Sequence, residues 1–177
     1  MRKLVIDLGH GGYDPGAVGK GGTKESEVVL KIGKYLESML KEVDLDVRFT
    51  RLSDKYVSLG DRVEFANNFG ADYFLSIHVN SASDNTVRGV EVWQYNNDDK
   101  HLNEFCSSLC NEISGIFNIR NRGVKLSKGL YVLKNTSMKA ALLEVDFISN
   151  SIVEDVCTSY DYCYVVAKNI CNALLKL

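Results

Sequence analysis

The feature that most constrains this chain is the alternation of apolar runs with helical patterns along its 177 residues. The runs "KLVIDL", "DYFLSIHV" and "AALLEV" are apolar almost throughout. Strands of that kind are buried on both faces, as the strands of parallel sheets are. Strand-like segments fall at Lys3–Leu8, Leu45–Thr50, Asp72–Val79, Gly89–Tyr95, Leu130–Leu133 and Ala140–Val145. Helical periodicity marks Glu25–Glu42, Ser58–Phe69, Asp99–Ser114 and Tyr160–Leu175. Ser58 is placed to cap the second helix and Gly70 to end it. This order predicts one α/β domain over residues 1–177, built on a largely parallel sheet with helices on both faces. In open sheets of this class the site lies beyond the carboxyl ends of the strands.

The first strand ends in "LVIDLGHGGYDPGAVGKGG", a glycine-rich stretch that invites a phosphate-binding reading. A Walker A loop read back from Gly19–Lys20 requires glycine at position 14 and Ser or Thr at 21, where the chain has Asp14 and Gly21. A dinucleotide fingerprint starting at Gly9 fails at the same Asp14. Phosphate loops also open directly into a helix, whereas residues 9–24 separate Leu8 from the first helical pattern. A loop of that length in a compact domain is usually functional.

The alternative is a metal. His10 follows the first strand and His78 stands near the end of "DYFLSIHV", so both belong at the carboxyl edge of the sheet. His101 sits in the polar stretch "NNDDKHLNE" and reads as solvated. Catalytic zinc takes three protein ligands and leaves the fourth position to water. Glu25 and Glu27, where the loop enters the first helix, are both placed to supply a carboxylate, or merely to favour the helix dipole. Glu144 ends an apolar strand, where an ionised carboxylate without a partner is costly. At the strand's edge it would instead face the metal-bound water. In "RGVEVWQY", alternation puts Glu91, Trp93 and Tyr95 on one face, toward solvent or a cleft.

Bulk properties narrow the class. The composition is 45% apolar and 25% charged, that of an ordinary globular protein. The net charge of −2, without a basic stripe, argues against nucleic acid as a partner. No apolar run is long enough to span a membrane. The five cysteines include no C-x-x-C pair and read as buried free thiols, consistent with synthesis in a reducing compartment. After Met1, Arg2 and Lys3 the apolar run is too short for a signal peptide, so the expectation is synthesis in the cytoplasm without one.

Taken together, "GHGGYDPGA", Glu25, "TRLSD", "LGDRVEFANNFGADYFLSIHVNS", "RGVEVW", "GLYVL" and "ALLEVDFISN" resemble the zinc-dependent N-acetylmuramoyl-L-alanine amidases of the amidase 3 family in order and spacing. The resemblance covers nearly the whole chain. It implies a six-stranded, twisted, mostly parallel sheet. It also implies Zn2+ held by His10, Glu25 and His78, which selects Glu25 over Glu27, and Glu144 as the catalytic glutamate. The implied substrate is peptidoglycan, cleaved between N-acetylmuramic acid and the L-alanine of the stem peptide. In that chemistry zinc polarises the carbonyl and brings the pKa of water toward ~7, and Glu144 carries the proton from water to the leaving amine. Asn80, Arg51 and Arg62 are expected to reach the stem peptide, unless they serve turns and surface solvation. Tyr13 and Asp146 depart from the family's usual residues, and Asp146 is placed to tune Glu144. Members usually carry a wall-binding module, absent here. That fits an excised catalytic domain, a lysin released through a holin, an autolysin of a lysing cell, or part of a longer secreted protein. The alternatives are a carboxypeptidase-like zinc hydrolase and a non-catalytic wall-binding domain.

Overall fold

The computed structural model describes residues 1–177. Six strands form one sheet: β1 (Arg2–Leu8), β2 (Leu45–Phe49), β3 (Tyr73–Asn80), β4 (Val90–Gln94), β5 (Asn121–Leu126) and β6 (Lys139–Phe147), in the spatial order β2-β1-β3-β6-β4-β5. All neighbours run parallel except β4 and β6. Six helices accompany the sheet: α1 (Glu25–Leu40), α2 (Leu59–Phe69), α3 (Lys100–Ser114), α4 (Tyr131–Asn135), α5 (Ser151–Val156) and α6 (Tyr160–Leu174). No helix is long and apolar enough to cross a membrane.

Strand alternation divides the interior into two unequal halves. Leu4, Ile6 and Leu8, Leu75, Ile77 and Val79, and Leu143 and Val145 point to one side, where α1, α3 and α6 close a core of 35 buried residues. Val5, Phe74, Ala140 and Leu142 point to the other side, where α2 and α4 close a core of nine. The second face is therefore thinly covered. Asp7, Ser76, His78 and Glu144 continue the alternation of that face toward the strand ends.

The expected helix limits are met by local chemistry. The Ser58 hydroxyl accepts the Asp61 amide, and Gly70 ends α2 in the left-handed conformation at φ 64°. All five cysteines are free and buried, and burial pushes the Cys106 thiol up to about 12. One local expectation needs correction, and two elements were not foreseen. Leu130–Leu133 is not a strand: Leu130 caps α4, whose Val132 and Leu133 complete the small core against α2. Tertiary packing here overrides the β preference of "LYVL". The sixth strand is β5, a mostly half-exposed edge strand whose sequence "NRGVKL" carries little apolar signal. The short helix α5, capped by Asn150, also lacks a periodic pattern long enough to read.

Helix α1 crosses β1 closely enough that a Cβ on Gly33 would lie 2.2 Å from Leu8 Cδ1. Gly33→Leu is expected to cost about 3 kcal/mol through overpacking, measured as a lower urea midpoint at unchanged m-value.

Candidate metal centre

The loop after β1 is held from below by two buried arginines. Arg51 Nε donates to Leu8 O at 2.9 Å, and its Nη2 donates to Gly9 O at 2.7 Å and Ser26 O at 3.1 Å. Arg62 Nη1 donates to Asp7 Oδ1 and Leu8 O, both at 2.6 Å, and Nη2 to His10 O at 2.8 Å. Asp7 also accepts the Thr50 and Ser76 hydroxyls, each at 2.7 Å. These contacts fix a backbone that turns sharply, since His10 has φ 59°, uncommon for a residue with a side chain. From the side, Glu154 accepts the Gly21 and Thr23 amides at 2.8 and 3.2 Å and clamps the far end of the loop.

Above this base, one ligand atom each from His10, Glu25 and His78 lies within 4.8 Å of the others. Glu25 opens α1 and is buried. Its Oε1 lies 2.8 Å from His78 Nδ1 and its Oε2 lies 3.2 Å from His10 Nε2. The remaining ring nitrogens are tied elsewhere. His10 Nδ1 lies 2.9 Å from Asp14 Oδ2. His78 Nε2 lies 3.1 Å from the Ser76 hydroxyl, whose own proton goes to Asp7. Both outer nitrogens are thus placed as donors, which turns two lone-pair nitrogens toward one carboxylate. Such an arrangement requires positive charge between them, either protons or a cation. Burial opposes charge on Glu25, but hydrogen bonds from His10 and His78 hold its carboxyl well below the usual range. Burial likewise works against the His10 imidazolium, yet Glu25 and Asp14 hold its pKa above the ordinary value.

The space around the triad is kept open by glycine. A Cβ on Gly9 would lie 2.3 Å from the His78 ring, and one on Gly16 would lie 2.6 Å from Glu25 Oε2. A His–Glu–His donor set with both imidazoles oriented by outer hydrogen bonds fits zinc. Glu27 is not part of the group; it projects near Lys24 on the helix surface.

Glu144 is the register neighbour of His78 on β3 and of Glu91 on β4. Its Oε2 is buried without a hydrogen-bond partner. Burial raises its pKa well above the usual carboxyl range, and the charges of Glu25 and Glu91 add to the effect. Glu91 does not face bulk solvent. It is buried and accepts Arg122 Nε at 2.6 Å.

Two sequence expectations are corrected here, those for the two arginines and for Asp146. Arg51 and Arg62 do not project toward a substrate, because their guanidinium groups are bound to the loop carbonyls. Asn80 accepts the Ser81 amide and reaches Glu91 at 3.5 Å. Asp146 does not face Glu144. The register slips by one residue between the His78–Glu144 and Asn80–Phe147 pairs, and Asp146 binds Arg88 Nη2 and the Gly89 amide, each at 2.8 Å. The supporting roles of Asp7, Asp14 and Ser76 were missed. For Asp7 the signal was present: a carboxylate inside an otherwise apolar strand needs a buried partner. His101 is exposed, as expected.

Removing the Arg62 side chain leaves Asp7 charged and buried. Arg62→Met is expected to destabilise by about 3–5 kcal/mol, and Asp7→Asn/Arg62→Met by less than the sum of the single changes, measured by urea unfolding in a double-mutant cycle.

Residues 4–176 match the Amidase_3 family model, described as N-acetylmuramoyl-L-alanine amidase. The chain is 39% identical over 150 residues to the sporulation-specific N-acetylmuramoyl-L-alanine amidase of Bacillus subtilis, covering 84% of this chain and 57% of that protein. It is 33% identical to the amidase CwlM of Bacillus licheniformis over 99% of this chain and 68% of the relative. Against Escherichia coli AmiA, 44% identity covers 54% of this chain and 33% of that protein. The chain therefore spans about a third to two thirds of these relatives. The structure superposes on the amidase AmiC2 of Nostoc punctiforme with a TM-score of 0.90 at 34% identity, covering 99% of this chain and 96% of the other. The catalytic domain of CwlV, an amidase from Bacillus (Paenibacillus) polymyxa var. colistinus, gives 0.90 at 31% identity, with 99% and 97% covered. The chain belongs to the N-acetylmuramoyl-L-alanine amidase family.

Proposed function

We infer that this chain is the catalytic part of a peptidoglycan hydrolase that cuts the amide between N-acetylmuramic acid and the L-alanine of the stem peptide. His10, Glu25 and His78 would hold zinc. The observation that carries the reading is their convergence within 4.8 Å next to a carboxylate oxygen of Glu144 that has no partner of its own. Zinc in such a site supplies Lewis-acid polarisation of the amide carbonyl and acidifies water.

The protein's own groups do the rest. Asp14 and Ser76 hold the two imidazoles in the tautomer that leaves a lone pair facing inward. The Ala17 and Val79 amides donate to Glu25 at 2.9 and 3.0 Å and fix its carboxylate between the rings. Glu144 takes a proton from the attacking water and delivers it to the amine nitrogen of the leaving alanine. One carboxyl group serves both steps, because the proton gained in the first is the one needed in the second. The unbonded Oε2 leaves it free to do so. Glu91, opposite Glu144 on β4, is held in place by Arg122 at 2.6 Å. The place of action would be the bacterial cell wall.

Two measurements test this. Elemental analysis is expected to find about one zinc per chain, lost in His78→Ala, with chelation abolishing sacculus lysis and zinc restoring it. Glu144→Gln is expected to keep zinc and thermal stability while lysis falls by about 10²- to 10⁴-fold. The products should carry free L-alanine amino ends. Full lysis by the zinc-free protein or by Glu144→Gln would refute the assignment.

A further inference from the structure

Exposed large apolar side chains occur over much of the surface, and some of them stand beside the triad. Tyr13, Tyr56, Leu59 and Tyr131, which are 78, 43, 54 and 47% exposed, collect on one flank of the triad. Tyr56, Leu59 and Tyr131 line a cavity of about 460 Å³ whose wall also contains His10 and His78. Tyr13 stacks on Tyr56 at 4.2 Å between centroids and 24° between planes. An apolar surface gathered around a polar centre marks a binding region.

The tyrosine pair is fixed in place before any ligand arrives. The Gly12 amide donates to Asp54 Oδ1 at 2.8 Å. A Cβ on Gly12 would lie 2.6 Å from the Tyr56 amide nitrogen, so the two loops touch without room for a side chain. Tyr56 covers one face of Tyr13 and leaves the other open.

Charge decides what this flank accepts. The single Lys or Arg in the cavity wall is Arg62, whose guanidinium is bound to Asp7 and backbone carbonyls. Asp14, also in the wall, is an acid. A stem peptide, which ends in a carboxylate, finds no free lysine or arginine in this wall. A pyranose is uncharged, and the C–H bonds on its flat side present positive edges to the negative face of an aromatic ring.

We propose that Tyr13, backed by Tyr56, is a subsite for a sugar ring of the glycan strand. The proposal rests on the reading above that the muramoyl–alanine amide is the bond cleaved. In that substrate only a carbon and an ether oxygen separate the reacting carbonyl from the muramic acid ring. A carbonyl at the triad therefore puts a sugar within reach of this cavity, and the next ring within reach of the tyrosine pair. Tyr13 selects for substrates that carry glycan and takes no part in the bond cleavage.

The test has a binding arm and a kinetic arm. In the first, a β-1,4-linked N-acetylglucosamine tetramer is titrated into the protein while the tyrosine ring resonances are followed by NMR. The Tyr13 and Tyr56 rings are expected to shift. Affinity should fall about tenfold in Tyr13→Ala, as for loss of an aromatic stacking contact, and be kept in Tyr13→Phe. In the second, kcat and KM are compared for glycan-bearing muropeptides and for a sugar-free N-lactyl-L-alanyl peptide. Tyr13→Ala is expected to lower the ratio of kcat/KM for the two substrates about tenfold, through KM. Equal loss on both substrates, or rings that respond to a free stem peptide and not to the tetramer, would overturn the subsite. Sugar binding that depends on Tyr13 in a protein that cleaves neither substrate would support the subsite while removing the proposed activity.

Discussion

Two guanidinium groups buried beneath the strand ends hold the loop after β1 in place. Where β1 leaves the sheet, the carbonyls of Leu8, Gly9 and His10 are turned toward Arg51 and Arg62. A buried carbonyl without a donor costs about 1–3 kcal/mol, so three of them together would be enough to let the loop open. Arginine suits the task because its planar fork serves several acceptors from one rigid group, which a lysine ammonium cannot. The arrangement is weak as a source of net stability, since desolvating an ion pair such as Asp7–Arg62 consumes most of what the pair returns. Its value is positional. The same Asp7 that balances Arg62 also accepts a hydrogen bond from the Ser76 hydroxyl, and Ser76 in turn orients His78. The backbone of one histidine and the tautomer of the other therefore depend on a single carboxylate in the middle of an apolar strand.

Glu25 is the point at which the loop, α1 and β3 meet. It takes hydrogen bonds from the Ala17 amide on the loop and the Val79 amide on the strand, and sits between both imidazoles. The Ser26 carbonyl, one residue on, is bound by Arg51. The helix that covers the large core thus begins inside the site. The antiparallel β4 has a comparable role on the other side. It places Glu91 directly opposite Glu144, while the register slip in β6 sends Asp146 to Arg88. Two acids two residues apart on one strand consequently have separate functions. Glu144 keeps a buried unpaired oxygen, and Asp146 anchors the turn before β4.

Much of this was legible in the sequence. The largely apolar character of β1, β3 and β6 identified the buried strands, and the carboxyl-edge rule then placed His10, His78 and Glu144 at one edge of the sheet without knowledge of their contacts. Glu25 could not be separated from Glu27 by spacing, because both stand in the first turn of α1 and only the path of the loop decides which faces the histidines. Arg51 and Arg62 were misread for a related reason. Charged side chains in polar segments are usually solvated, and nothing local reveals that both reach under the sheet edge. β5 and α4 were misassigned because the pattern of an edge strand is weak and a five-residue helix has too few turns to show a period.

The unequal coverage of the two faces links architecture to chemistry. A core of 35 residues on one side supplies the rigidity that a site with strained backbone and close-packed polar groups requires. The nine-residue core on the other side stops short of the strand ends and leaves the triad open on that flank. Thickening the second layer would stabilise the fold, yet it would close the open flank beside the triad. Exposed aromatic side chains beside the triad are the natural consequence of that compromise. They occupy the ground a thicker layer would have covered, and they remain tolerable in water because they form a small patch rimmed by polar groups.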